Sequence, residues 1–168
     1  DYMKKDKYGY SNVLIEATSE GVHFSSIRHT FLNDYLAAAR PMVSLLDKAV
    51  AIEQSLEFYG LEYDFNFDYI TDDRVVCSEL VGKSYDKSVE MNFDIDKGEY
   101  IEEIMQRLSI PVKNFAHKMY DENIAGRRKS ELKFIAFLKG LPKQDRAVFS
   151  SEKEFYQTIE KKKWSFME

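Results

Sequence analysis

Cys77 is the one cysteine in a chain of 168 residues, and it stands in Val75-Val76-Cys77-Ser78-Glu79-Leu80-Val81, where one sequence period gives way to another. Before it, Tyr63, Phe65, Phe67 and Tyr69 alternate with Asp64, Asn66 and Asp68, the two-residue repeat of a strand with one buried face. After Thr71-Asp72-Asp73-Arg74, a helical stripe takes in Cys77, Leu80, Val81 and Tyr85. The spacing predicts a strand over 63–69 and a helix that opens near Cys77. In the first turn of a helix, backbone N–H groups without intrahelical partners and the macrodipole favour a thiolate over a thiol. A thiolate is the species that attacks a carbonyl carbon. The competing role for Cys77 is packing, since free cysteine is among the most buried residue types. Glu79, further into the same helix, is expected to be structural.

The surrounding elements follow from patterning. Ser25 or Ser26 can cap a helix running to about Ala38. Ser44 opens a second helix, with Leu45, Ala49, Ile52 and Leu56 at helical spacing and Gly60 as its stop. Val89 to Ile95 alternates in part, as a strand would, and Ile101, Ile104, Met105 and Leu108 mark an amphipathic helix before Pro111. Leu132 to Leu138 is strongly apolar and is closed by Gly140-Leu141-Pro142. Ser151-x-x-Glu154 is a capping-box pattern for a last helix through Lys163, with Trp164 and Phe166 as an apolar anchor.

Composition narrows the function classes. Hydrophobic residues make up 44% and aromatic residues 14%, which argues for a packed core over disorder. No apolar run approaches the ~20 residues that cross a bilayer. The net charge of -5 is divided: residues 1–110 carry 11 basic against 21 acidic side chains, and residues 111–168 carry 13 against 8. The basic residues are scattered, and no basic run interleaved with aromatics suggests a nucleic-acid partner. Asp64, Asn66, Asp68 and Asp72 imitate the start of a calcium loop, but the sixth and twelfth positions are Tyr69 and Val75, where glycine and glutamate are required. One cysteine with widely separated histidines does not make a zinc site, and no glycine-rich phosphate loop is present. No metal or other cofactor is expected.

The segment Val76-Cys77-Ser78-Glu79-Leu80-Val81 behind Tyr63-Asp64-Phe65-Asn66-Phe67-Asp68 resembles the signature of the YiiX/YebB-like cysteine hydrolases, permuted papain-fold proteins of the NlpC cell-wall hydrolase superfamily. Val13-Leu14-Ile15-Glu16-Ala17 with Gly21-Val22 resembles the family's strand and turn. Ala38-Ala39-Arg40-Pro41 resembles its next strand, and Ala49 to Gly60 its helix before the aromatic segment. The resemblance covers roughly residues 11 to 86. It implies an α+β fold, with an antiparallel sheet packed against helices: a permuted papain-like (NlpC-type) domain over 1–98 and a helical C-terminal extension over 99–168. It also implies Cys77 as nucleophile and Glu16 as the polar residue that orients a histidine. Tyr63 and Ser78 are expected to help line the substrate cleft. The substrates implied are peptides, other amides or lipid esters. A non-catalytic binding module that keeps the scaffold is the alternative.

In the family pattern the histidine precedes both other residues, in an H-x-G-I type motif, and no such motif occurs here. Because Glu16 already holds the second place, the histidine is expected before Asp1, and the chain as given is expected to be inactive. The polar stretch Lys4 to Tyr10 reads as a hairpin loop and so implies a partner strand before it. His23, in Gly21-Val22-His23-Phe24, His29, in a helical stretch, and His117, far along the chain, are the substitutes within the sequence. Each is expected to be a surface or half-buried residue.

Overall fold

Residue patterning resolves into fourteen elements in a computed structural model, which describes residues 1–88, 91, 93, 96–97, 108–109, 112–123, 131–141 and 146–159. The first are β1 (Asn12–Thr18), β2 (Gly21–Ser26), the single-turn α1 (Ile27–Thr30), β3 (Tyr35–Pro41) and α2 (Leu45–Glu57). Then come β4 (Glu62–Tyr63), β5 (Arg74–Val75), α3 (Cys77–Ser84), β6 (Asp96–Lys97) and β7 (Leu108–Ser109). The last are α4 (Val112–Asn123), β8 (Leu132–Gly140), β9 (Ala147–Ser150) and α5 (Glu152–Ile159). The fold class is α+β with antiparallel sheets and helices, as expected. The chain divides into two units, one of residues 1–27 and 43–114, the other of 28–42 and 115–168.

The first unit is built on the antiparallel hairpin β1–β2, in which Glu16 stands opposite His23 and Ala17 opposite Val22. Its turn closes through Gly21, whose φ of 95° is open to glycine at little cost. A side chain there would also meet Leu61 O at 2.5 Å. The approach is this close because Val22 N donates to Leu61 O and Gly60 N donates to Val22 O, both at 2.9 Å. These bonds fasten the hairpin to the chain after α2. Ser44 caps α2 by accepting from Asp47 N at 3.0 Å. Alternation turns Ala17 and Val22 toward Val75 and Leu80, with Ile15, Phe58, Leu61 and Tyr63 packed around them. This cluster ties the hairpin to β5 and α3.

Three local expectations are corrected in this part of the chain. The helix proposed from Ser25 or Ser26 to Ala38 is only the single turn α1. Ser25 and Ser26 end β2, Ser26 Oγ donates to Asp6 Oδ2 instead of capping a helix, and the chain is extended again from Tyr35. The strand proposed over 63–69 stops at Tyr63, because the Asp64 carboxylate curls the chain that follows. Helix α2 packs against α3 and buries Ala51, Gln54 and Ser55, whereas Leu45, Ile52 and Leu56 of the apolar stripe are exposed.

The second unit holds the antiparallel sheet β3–β8–β9, in which Ala38 faces Ala136 and Leu138 faces Phe149. Phe137 is buried with Phe155 at a ring separation of 5.4 Å, and Phe134 meets the same ring at 5.7 Å. The extension expected to be helical does supply α4 and α5. Between them, however, Leu132–Leu138 lies in strand β8, where Leu132, Phe134 and Ala136 alternate with the exposed Lys133 and Ile135. Ser151 opens α5 by accepting from Glu154 N at 3.2 Å, as the capping pattern predicts. The expected strand over 89–95, apart from Met91 and Phe93, the helix expected over 101–107, and Trp164 and Phe166 lie outside the described residues, while Leu108, counted with that helix, is in β7.

Candidate active site

Cys77 is the first residue of α3, preceded by Val75 and Val76. Both valines are buried, while Cys77 is exposed. Burial of two β-branched residues immediately before the thiol fixes the chain at the point where the helix begins. Parallel pairing of β4 with β5 sets Tyr63 beside Val75, two residues from Cys77. Val76, the residue before the helix, is extended and has no side-chain oxygen, so it offers no cap to the N–H groups of the first turn. Only half of a capping box is made: Glu79 Oε2 accepts from Val76 N at 3.2 Å. Ser78 is buried.

Glu79 is fully buried, 0% exposed, and its Oε1 has no hydrogen-bond partner among the described residues. Burial pushes its carboxyl up from the ordinary range, and the Asp64 and Asp68 charges act the same way. The Val76 N–H and the Lys83 charge oppose that rise. Asp64 is the second buried carboxyl, 2% exposed. It accepts from Asn66 N at 2.8 Å and from Asp68 N at 2.5 Å, a side-chain turn that replaces the expected strand. Beyond the turn, Lys83 from α3 donates to Thr71 O at 2.7 Å and to Asp72 Oδ1 at 2.8 Å, and lies 4.9 Å above the Tyr69 ring. Tyr69 Oη donates to Asp86, and burial with the Asp86 charge raises its pKa. The loop between β4 and β5 is thus tied to α3 and the residues after it.

Tyr63 connects this loop to the thiol. Its ring meets Phe65 edge-on at 5.1 Å and Phe67 at 6.4 Å. Its phenol is pushed up by burial and then by the charges of Cys77, Glu79 and Asp64. A phenol shifted in that direction is neutral at physiological pH and able to donate a hydrogen bond. Cys77 and Tyr63 therefore share one electrostatic environment. Glu16 lies on the hairpin with His23: the two are register partners, and Glu16 Oε1 is 3.7 Å from His23 Nε2. His23 Nδ1 donates to Gly21 O at 3.1 Å. Strand alternation puts Glu16 and His23 on the face opposite Ala17 and Val22. His29 and His117 are both exposed and belong to the second unit. Among the described residues, no three or more His, Cys, Asp or Glu side chains are grouped to hold a metal ion.

Sequence reasoning missed two contributors. Asp64 was read as a polar position of the expected strand and as a failed calcium position, although Asp followed by polar and aromatic residues is also a turn signal. The approach of His23 to Glu16 was readable only from the short turn after Thr18, which sets the register of the hairpin.

An α+β fold with a thiol at the head of α3 fits a permuted papain-like scaffold, and comparison with known families agrees. Residues 2–98 match the permuted papain-like amidase enzyme family YaeF/YiiX, the C92 family; the chain belongs to this family. The resemblance read from the sequence is borne out over that span. Among solved structures, the crystal structure of the metalloprotein yiiX from Escherichia coli O157:H7 is 19% identical, covering 80% of this chain and 78% of that one with a TM-score of 0.48. Comparison with curated proteins finds no match.

Proposed function

We propose that the protein is a cysteine hydrolase of the amidase or acyl-transfer type in which the Cys77 thiolate attacks a carbonyl carbon. The observation that carries the reading is the exposed Cys77 as first residue of α3 in a chain of this family. Attack forms a C–S bond, and the C–N or C–O bond to the leaving group breaks as that group takes a proton from an imidazolium. Water then cleaves the thioester, releasing the acid and restoring the thiol. Glu16 orients the imidazole and selects its tautomer. Tyr63 and Ser78 line the cleft, with the Tyr63 phenol as a hydrogen-bond donor toward the carbonyl oxygen. Peptide, other amide and lipid-ester substrates are all compatible with this chemistry.

The imidazole comes, in this reading, from a histidine upstream of Asp1. A second source within the chain is His23, which faces Glu16 at 3.7 Å, on the hairpin face opposite the one packed on Val75 and Leu80. The test compares hydrolysis of an amide and ester panel by this chain and by the chain extended upstream by roughly 60–100 residues, the span of a small domain. With the upstream source, only the longer protein turns over, and Glu16→Gln lowers its rate while leaving its melting temperature nearly unchanged. With the second source, both turn over and His23→Ala costs ~10²–10⁴-fold, the usual worth of positioned acid–base help. Turnover that survives Cys77→Ala would refute the nucleophile assignment. Absence of turnover in both proteins would leave the non-catalytic binding module as the better account.

A further inference from the structure

We infer that α2 is a self-association face: its outward stripe of Leu45, Ala49, Ile52 and Leu56 packs in parallel against the same stripe of a second copy of this chain, with Lys48 of each copy set against Glu53 of the other. The inference does not depend on the role of Cys77, because it concerns the side of α2 turned away from α3. The four stripe positions are spaced four, three and four residues apart, the alternation of an a/d seam between two helices. Leu45, Ile52 and Leu56 are 83%, 63% and 48% exposed, and Leu46 beside them is 74% exposed. Ala49 is exposed as well. Scattered apolar residues on a surface need no explanation, but a continuous helical seam of them is what a helix presents to a partner.

The fold holds this seam ready before a partner arrives. Ser44 caps the 13-residue helix, and Ala51, Gln54 and Ser55 are buried where it packs against α3. At about 100° per residue these buried positions lie on the side of the helix opposite the stripe. The helix is therefore formed and fixed by contacts the partner does not have to supply. An isolated helix of this length is marginal in water, whereas one already seated on its domain associates without the cost of ordering it. Small Ala49, between the larger Leu45 and Ile52, lets the two axes approach closely.

The charges beside the seam select the occupant and its direction. With Leu45 and Ile52 at d and Ala49 and Leu56 at a, Lys48 falls at g and Glu53 at the following e. In a parallel pair a g side chain meets the next e side chain of the other helix, so a two-fold dimer makes the Lys48–Glu53 contact twice. Among the described residues neither Lys48 nor Glu53 has an ion-pair partner of its own. An antiparallel pair sets e beside e and g beside g, which leaves Glu53 next to Leu46 and Lys48 next to Ser55, with no opposite charge. An anionic membrane suits the face less well, since Asp47, Glu53 and Glu57 outnumber Lys48 along α2 and helices that lie on such surfaces are basic on their polar side.

The test is sedimentation velocity of the full 168-residue chain from about 1 to 500 µM, since an interface this small belongs to the weak, reversible class. A monomer–dimer equilibrium is expected across that range. Ile52→Ser removes two apolar side chains per dimer and should weaken it ~100-fold, while its melting temperature stays close to that of the unmodified chain because the side chain is exposed. Lys48→Glu and Glu53→Lys should each weaken the dimer ~10-fold by turning both attractive contacts repulsive. An equimolar mixture of these two variants should associate again, because every g–e contact of the mixed dimer then joins opposite charges, and its association should fade with added salt. A monomer at every concentration, or a dimer insensitive to Ile52→Ser, overturns the inference. A dimer that Ile52→Ser breaks but that the mixture fails to re-form overturns the parallel pairing. Association that disappears when the chain is extended upstream assigns the stripe to a cover within a longer chain and overturns it too. Recruitment of a monomeric chain to phosphatidylglycerol vesicles, abolished by Ile52→Ser, replaces the second copy with a lipid surface.

Discussion

Glu79 is expected to behave as a buried, pH-sensitive brace for the start of α3, and two substitutions separate its parts. Glu79→Ala removes the acceptor for Val76 N, leaving a buried donor without its partner at a cost of about 1–3 kcal/mol. It also removes one buried methylene, worth about 0.8 kcal/mol. Relief of the poorly satisfied carboxyl works the other way, so the net loss is expected at about 2–3 kcal/mol. Glu79→Gln keeps the volume and an acceptor oxygen for Val76 while removing the charge. Near pH 7 its stability should lie within about 1 kcal/mol of the unmodified protein, on the stabilising side. The pH dependence follows from the upward shift of the carboxyl. A folded-state pKa above the unfolded one means that the folded form binds more protons through that window. The stability this provides is complete below the ordinary value of 4.5 and is lost as pH rises through the raised folded value. Urea denaturation of the unmodified protein and of Glu79→Gln from pH 4 upward therefore gives a difference curve that falls with pH and then levels. A flat difference curve, or a Gln variant as unstable as the Ala variant, would refute the brace.

Two further substitutions probe what holds the site's surroundings in place. Asp64→Ala removes the acceptor for Asn66 N and Asp68 N and is expected to cost about 2–4 kcal/mol, read as a lower urea midpoint at unchanged m; a loss below about 1 kcal/mol would show that the loop holds itself. Gly21→Ala forces a side chain onto Leu61 O at 2.5 Å with φ at 95°, and more than about 2 kcal/mol should be lost. Gly9→Ala is its control, with φ at 87° and nothing within 4 Å, and should cost only the backbone term of about 1–2 kcal/mol. Equal losses for the two glycines would show that the packing of the hairpin on the chain after α2 is not what demands Gly21.

How much of the site was legible before the structure depended on whether a residue's role is local. Cys77 at the head of a helix was readable, because the change of period, the β-branched pair before it and the helical stripe after it all act over a few residues. The α2 cap at Ser44 and the α5 opening at Ser151 were readable for the same reason. The aromatic alternation from Tyr63 to Tyr69 misled, because a two-residue period states that alternate side chains share a face only if the backbone stays extended. One buried carboxylate taking two backbone N–H groups was enough to end the strand at Asp64. The apolar stripe of α2 misled differently. Periodicity identifies a helix but does not say which face a neighbour takes, and small Ala51 and Ser55 are among the residues buried where α2 packs against α3.

The same distinction explains why other features around the thiol stayed hidden. Phe65 and Phe67 count as core residues in any pattern of hydrophobicity, and only the Asp64 turn sends them outward beside Tyr63. Glu79 reads as an ordinary helix residue until its 0% exposure and its unpartnered Oε1 are seen. Both carboxyls are buried and both accept from backbone N–H groups, Glu79 from Val76 beside the thiol and Asp64 from Asn66 and Asp68 in the loop before β5. A nucleophile can be found from its type and its helix. The course of the loop before it is set by buried polar groups, and those become visible only once the chain has been folded around them.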